Sequence, residues 1–169
     1  MNANDIVTRV RYALDIKDKE MVEIFELGGM EVSKADVQAM LAKSNNTADH
    51  DGQEEEYVKE IDNHTLESFL NGLVTLKRGT PDVKPENAPN PFLMAGDNSN
   101  VNNILLKKMK IALSLTSEDM LDILQEAGVT VSKSELSAVL RKEGHRNYKE
   151  CGDRYARNFL KGLALRFRA

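Results

Sequence analysis

Apolar residues recur at helical spacing through most of this chain. Ile6, Val10, Ala13 and Leu14 fall at i, i+4, i+7 and i+8, one face of a helix over residues 4–14. Asp18 can cap a second helix, whose stripe is Met21, Val22, Ile24 and Phe25 and which stops at Gly28-Gly29. Ser33 opens a third, with Val37, Met40 and Leu41 facing inward. A fourth runs from about 63 to 77, with Leu66, Phe69, Leu70, Leu73 and Leu76 apolar. Between the third and fourth, residues 44–56 are almost wholly polar and read as a solvated loop. Residues 79–100 carry all four prolines, which excludes a helix interior and predicts a linker. Within it Phe92-Leu93-Met94 is an apolar knot, expected to pin the linker to a domain surface.

The second half repeats the first. Residues 103–142 align without a gap to residues 4–43, an offset of 99, and twelve of the forty pairs are identical. The clearest copies are Gly29 to Val37 and Gly128 to Leu136. Each reads as a helix stop, a turn and a helix start. Gly29 and Gly128 close one helix, and Ser33 and Ser132 cap the next. Asp36 and Glu135 stand three residues on, at the capping-box position, where the longer glutamate is expected to fit better. Val32 with Val37, and Val131 with Leu136, have the spacing of a hydrophobic staple. The register resumes at an offset of 90, where Phe159-Leu160-Lys161-Gly162-Leu163 answers Phe69-Leu70-Asn71-Gly72-Leu73, so the first unit has nine extra residues, placed in the polar loop. A glycine inside a helix costs about 1 kcal/mol relative to alanine. Its recurrence as Gly72 and Gly162 predicts another backbone packed against it.

Charge divides along the same line. The net charge is −4, but residues 1–78 hold nine basic and sixteen acidic residues, whereas 101–169 hold thirteen and eight. Opposite halves attract each other, or the basic half meets an anion. The basic residues concentrate around the turn before the last helix. Arg141, Lys142, His145, Arg146, Lys149, Arg154 and Arg157 lie there, with Lys133 at the start of the preceding helix. Phosphate contacts by such residues give affinity without sequence reading, and Tyr148 and Tyr155 among them can stack on bases. A helix-turn-helix reading would use Lys133, Ser134 and Ser137 as the leading residues of a recognition helix. Against it, the turn is long and the first unit's third helix is not basic.

Other chemistry is poorly supported. Cys151 and His145 are six residues apart without a third orienting group, and Ile61 stands at the Cys151 position of the first unit. That pairing predicts a small buried side chain. His50, His64 and His145 have no metal-ligand spacing, and Asp49, Asp51 and Glu54 to Glu56 lack the register of a calcium loop. A single cysteine excludes an internal disulfide framework, no apolar run reaches the roughly 20 residues that span a bilayer, and the first residues lack a signal region. A cytoplasmic protein is expected.

Several stretches carry a family resemblance. They are Val10-Arg11-Tyr12-Ala13-Leu14-Asp15-Ile16, Val32-Ser33-Lys34, Ser132-Lys133-Ser134-Glu135-Leu136-Ser137-Ala138, Arg141-Lys142-Glu143-Gly144-His145-Arg146-Asn147-Tyr148-Lys149-Glu150-Cys151-Gly152-Asp153, and Asn158-Phe159-Leu160-Lys161-Gly162-Leu163. In these the chain resembles the YehS-like family of uncharacterised bacterial proteins. The resemblance implies a cytoplasmic bacterial protein of duplicated units and brings no activity and no functional residues. The acidic loop 44–56 departs from the pattern, so no role for it follows.

The expected fold is all-α: two homologous four-helix units, 1–78 and 101–169, in tandem across a Pro/Asn-rich linker, 79–100. The expected function is a non-enzymatic interaction module, working by contact with a protein partner or a second copy, without cofactor, metal, membrane or small-molecule substrate. The alternative is a nucleic-acid-associated protein using Lys133, Arg141, Lys142, His145, Arg146, Lys149, Arg154 and Arg157.

Overall fold

The computed structural model describes residues 1–43, 57–79 and 90–168, and every regular element among them is an α-helix. The acidic insertion 44–56 and linker residues 80–89 lie outside the described residues. The first unit comprises α1 (Ala3–Leu14), α2 (Asp18–Leu27), α3 (Lys34–Leu41) and α4 (Asn63–Arg78). The second comprises α5 (Val101–Ala112), α6 (Ser117–Glu126), α7 (Lys133–Leu140) and α8 (Asp153–Phe167). The chain is thus an all-α tandem repeat. None of the described helices is long and apolar enough to cross a membrane.

The repeated segment starts α3 and α7 as its spacing requires, with one reversal. Ser33 Oγ accepts from the Asp36 N–H, and the Asp36 carboxylate accepts from the Ser33 N–H, both at 3.0 Å. Ser132 Oγ accepts from the Glu135 N–H at 3.1 Å, but no reciprocal bond is made. The shorter aspartate therefore closes the box and the glutamate does not; Asn2 with Asp5 and Thr116 with Asp119 also close it through aspartate. The Ser33 N–H, followed by Lys59, holds the Asp36 carboxyl down at about 2. Asp18 is the first residue of α2 rather than its cap, a place Lys17 takes, and its carboxylate meets Arg11 at 2.7 Å. Gly29 and Gly128 each have φ +89°, where a side chain would be strained. The next N–H in each unit, of Met30 and Val129, reaches back to Phe25 and Leu124 at 2.9 Å, which is the closure of a Schellman motif.

The recurring helix glycines mark a helix crossing. A Cβ on Gly72 would lie 1.7 Å from the Ile24 carbonyl oxygen, and one on Gly162 2.1 Å from that of Ile123. Ile24 and Ile123 are themselves equivalent in the repeat. So α2 crosses α4, and α6 crosses α8, at backbone contact.

A buried asparagine ties the third and fourth helices of each unit to its first. Asn4 Nδ2 donates to the carbonyls of Met40 (2.9 Å) and Lys59 (2.8 Å), and its Oδ1 accepts from the Ile61 N–H (3.0 Å). Asn103 Nδ2 donates to Val139 (2.9 Å) and Lys149 (2.8 Å), and its Oδ1 accepts from the Cys151 N–H (2.9 Å). Every partner corresponds across the repeat. Both side chains are buried, so each clamp satisfies backbone groups that water cannot reach. Asn4 and Asn103 open the aligned stretch, but an asparagine near a helix start carries no local sign that it is buried.

The units share one core and exchange helix faces. Helix α1 packs on α8, and α4 packs on α5, so the first helix of each unit lies against the last helix of the other. Both pairs run parallel. Arg168 Nη1 bonds the Tyr12 carbonyl (2.9 Å) and Asp15 (3.3 Å) at the C-terminal ends of α8 and α1, while Arg78 bonds Ser114 at the matching ends of α4 and α5. Arg78 corresponds to Arg168 and Ser114 to Asp15, and Asp15 and Ser114 both have left-handed backbones, φ 51° and 54°. A contact made both ways round is the signature of two-fold symmetry. Helix α5 is buried on nearly all sides because it meets α4, α7 and α8. Of the apolar faces expected, Leu76 is the exception: it is 42% exposed on the last turn of α4.

Gly162→Ala will lower stability by about 1–3 kcal/mol, because the methyl group overlaps the Ile123 carbonyl. At an open helix position the same change would raise stability by about 1 kcal/mol. The sign of the shift in urea denaturation therefore tests the crossing.

Candidate functional site

The basic residues of the second unit do not form one surface centre. Lys133, the first residue of α7, spends its ammonium on Glu118 at 2.8 Å. It lines a shallow concavity of about 430 Å³ with Ser134, Ser137, Arg141 and Asn147. Arg141, the C-cap of α7, also borders a second concavity, lined by Lys107, Lys110, Ile111, Ser117 and Leu140. Its Nε is buried without a partner. Lys107 and Lys110 project from α5 and were not recognised from sequence, because they are far from Arg141 along the chain. Burial lowers the pKa of Lys107, with Glu143 opposing and Lys142 reinforcing. Lys142, His145, Arg146 and Lys149 are exposed in the loop before α8, where His145 Nδ1 accepts the Asn147 N–H at 3.1 Å. Arg154 and Arg157 are exposed on α8, the helix that packs beside α1. The structure therefore joins Lys133 to Arg141 and assigns Arg154 and Arg157 to another element.

The interleaved tyrosines are not open stacking platforms. Tyr148 and Tyr155 are half-buried with their hydroxyls inside, and burial drives the Tyr155 phenol to about 12. Cys151 is buried too. Burial, reinforced by the Asp153 charge, pushes its thiol to about 12, far from a nucleophile's range. It occupies the Ile61 position as the small buried side chain the repeat predicts.

The linker is held by a buried ion pair. Lys108 of α5 and Glu67 of α4 meet at 2.9 Å with side chains 10% and 2% exposed. Glu67 also accepts the N–H groups of Leu93 (2.7 Å) and Met94 (2.9 Å). Lys108 also donates to the Pro91 carbonyl (2.6 Å) and to Asn71. Phe92 stacks on His64 with ring centroids 4.1 Å apart, and Met94 packs on the core. The apolar knot thus lies in the α4–α5 groove as a strap without helix or strand, with Leu93 turned outward at 54% exposure. Burial lowers the Lys108 pKa, and the Glu67 charge opposes that shift. The sequence signal for this pair was a charge inside each apolar face: Glu67 between Leu66 and Phe69, and Lys108 between Leu106 and Met109.

The N-terminal turns of α1, α4, α5 and α8 border a cavity of about 560 Å³ with Asp62, His64, Asn98 and Asp153 on its wall. Its carboxylates already have structural duties. Asp62 caps α4 through the Thr65 N–H (2.8 Å), while Asp153 accepts from Asn102 (2.8 Å) and pairs with the Met1 amine. No group of three or more His, Cys, Asp or Glu among the described residues is arranged to hold a metal ion.

Comparison with known proteins matches this two-part architecture. A family model described as "Protein of unknown function (DUF1456)" matches residues 3–79 and 102–169, one segment for each unit. The chain belongs to the DUF1456 family. It is 39% identical over 166 residues to the uncharacterized protein YehS of Escherichia coli (strain K12), covering 98% of this chain and 96% of that protein. No solved structure matches it. The family model leaves out 80–101, the span that contains the strap, so in this DUF1456 chain the groove contents lie between the two matched units.

Two outcomes follow from the buried groups. Lys108→Met will cost about 3–5 kcal/mol, because it leaves Glu67 buried without its cation. Changing both residues, Glu67→Gln with Lys108→Met, will cost less, and thermal denaturation of the set measures the difference. Cys151 will resist alkylation in the native protein and react once unfolded in denaturant, as read by mass spectrometry.

Proposed function

We propose that the protein is a non-enzymatic interaction module that works through protein–protein contacts. The observation that carries this reading is the location of the large exposed apolar side chains. Five of the eight among the described residues, Tyr12 (61% exposed), Leu76 (42%), Ile111 (52%), Leu165 (48%) and Phe167 (46%), lie on the last turns of α1, α4, α5 and α8, the helices that exchange faces between units, whereas Leu27, Val58 and Leu93 lie elsewhere. Tyr12 and Ile111 are equivalent in the repeat, so the two-fold symmetry presents this feature twice. Apolar side chains gathered at one end of a helix set, after the shared core is filled, suit a docking surface. Arg168 lies 4.2 Å over the Tyr12 ring and gives that surface a cationic edge.

A second reading has its own support. The two concavities beside Arg141 join cations from α5 and α7 with the hydroxyls of Ser117, Ser134 and Ser137, a lining suited to phosphate oxygens. In this reading the protein is nucleic-acid-associated, and binding to mixed-sequence DNA or RNA would fall steeply with salt.

Replacing Tyr12 and Phe167 by serine is expected to abolish the associated species, or the captured partner, that sedimentation and affinity capture detect with the wild-type chain. The melting temperature should hold, since both side chains are exposed. A wild-type monomer whose captured proteins are unchanged by the substitutions overturns the reading.

A further inference from the structure

The two-fold relation duplicates the groove that holds the linker strap. In the α4–α5 groove the strap lies against Glu67, Asn71 and Lys108. The corresponding positions of the α1–α8 groove are Arg157, Lys161 and Arg9. The register between the two grooves is fixed at the C-terminal end by the matching Arg78–Ser114 and Arg168–Asp15 bonds. At the N-terminal end Asp153 of α8 meets the Met1 amine just before α1, and Asn63, its counterpart on α4, meets Asn98 just before α5. Where the first groove has an anion, an amide and a cation, the second therefore has three cations.

These cations are available. Arg9, Arg157 and Lys161 are all exposed, and none has an ion-pair or hydrogen-bond partner among the described residues. Arg154, at the His64 position, adds a fourth exposed cation where the strap's aromatic ring would stack. Asp153, the one carboxylate on α8, is engaged by Asn102 and the Met1 amine and feels the Arg157 charge only through space. Four exposed cations, offset among the described residues only in part by Asp153, concentrate positive potential there.

We infer that the α1–α8 groove is a docking site for an acidic polypeptide segment without regular secondary structure, supplied by a partner protein. The inference rests on the interaction-module reading and names a separate surface and partner chemistry for it. The segment is irregular because the equivalent groove already holds a stretch without helix or strand, whose Pro91 carbonyl meets Lys108 and Asn71. It is acidic because the carboxylate that receives the strap's N–H groups is replaced by Arg157. An incoming chain finds no acceptor there and three donors for carboxylates. A polypeptide is favoured over nucleic acid because the tyrosines that would stack bases have their hydroxyls buried.

The test uses the full chain and a short fluorescent peptide of alternating glutamate and apolar residues. Its lysine counterpart and a single-stranded oligonucleotide serve as comparison probes. The glutamate peptide is expected to bind, more weakly as salt rises, while the lysine peptide does not bind. Arg157→Glu or Arg9→Glu should each weaken binding by about tenfold or more, and Lys161→Met by less. All three residues are exposed, so unchanged melting temperatures will show that the variants fold. The Tyr12→Ser/Phe167→Ser variant should bind the peptide normally. Peptide binding lost only in that variant would tie the peptide to the apolar ends and overturn the groove assignment, leaving the broader reading intact. Binding indifferent to Arg9 and Arg157 overturns the proposal. So does binding of the oligonucleotide in place of the peptide, which would give the groove to nucleic acid. Salt-sensitive self-association that excludes the peptide would give it to a second copy and likewise overturn it.

Discussion

The packing of α1 on α8 and of α4 on α5 carries the rest of the molecule. Each unit leaves apolar surface on its first and last helices that its own α2 and α3, or α6 and α7, do not cover, and the other unit covers it. Val7 and Val10 on α1, and Leu105, Leu106 and Met109 on α5, are buried in the one shared core. Full burial of such a side chain is worth about 1.5–3 kcal/mol, so a handful of them outweighs any attraction between an acidic and a basic unit across screened solvent. The charge difference between the halves is secondary to this exchange of helix faces.

The same exchange explains the polar groups that are buried. Bringing α4 and α5 together desolvates Glu67 and Lys108, which is tolerable because each charge meets the other and several further hydrogen-bond partners. The strap supplies part of that satisfaction with its own backbone. It crosses between the units because the chain must pass from α4 to α5. At the α1–α8 junction no such connection is needed, and the equivalent positions are occupied by exposed cations. A symmetric framework thus supports two helix pairs of different chemistry, one holding the strap and one carrying exposed cations.

This division accounts for the behaviour of the basic segment from Arg141 to Arg168. Read linearly, it is a single cationic run. In space, Arg141 borders one concavity with Lys133 and another with Lys107 and Lys110, whereas Arg154 and Arg157 belong to α8, which packs on the α1 that carries Arg9. The acidic first unit therefore contributes a cation to the second unit's basic face, which a count of charge by halves conceals.

The helices, most of their caps and the repeat are legible along the chain, because the helices and caps depend on neighbours within a few residues and the repeat on direct alignment. Periodicity of 3.6 places Ile6, Val10 and Ala13 on one face, Ser33 caps its own helix, and the twin glycines Gly72 and Gly162 announce a backbone crossing through their cost. Local reasoning erred where geometry finer than spacing decides, as with Asp36 closing a box that Glu135 leaves open. Which helices meet across the repeat is settled by packing between distant segments. A helix face records that it is buried but not what buries it, so neither the pairing of α1 with α8 nor the convergence of Glu67 and Lys108 is written in any local stretch. The correspondence of Arg9, Arg157 and Lys161 to the strap-holding Lys108, Glu67 and Asn71 has the same origin: it depends on a two-fold relation between helices more than a hundred positions apart, which the packed core imposes.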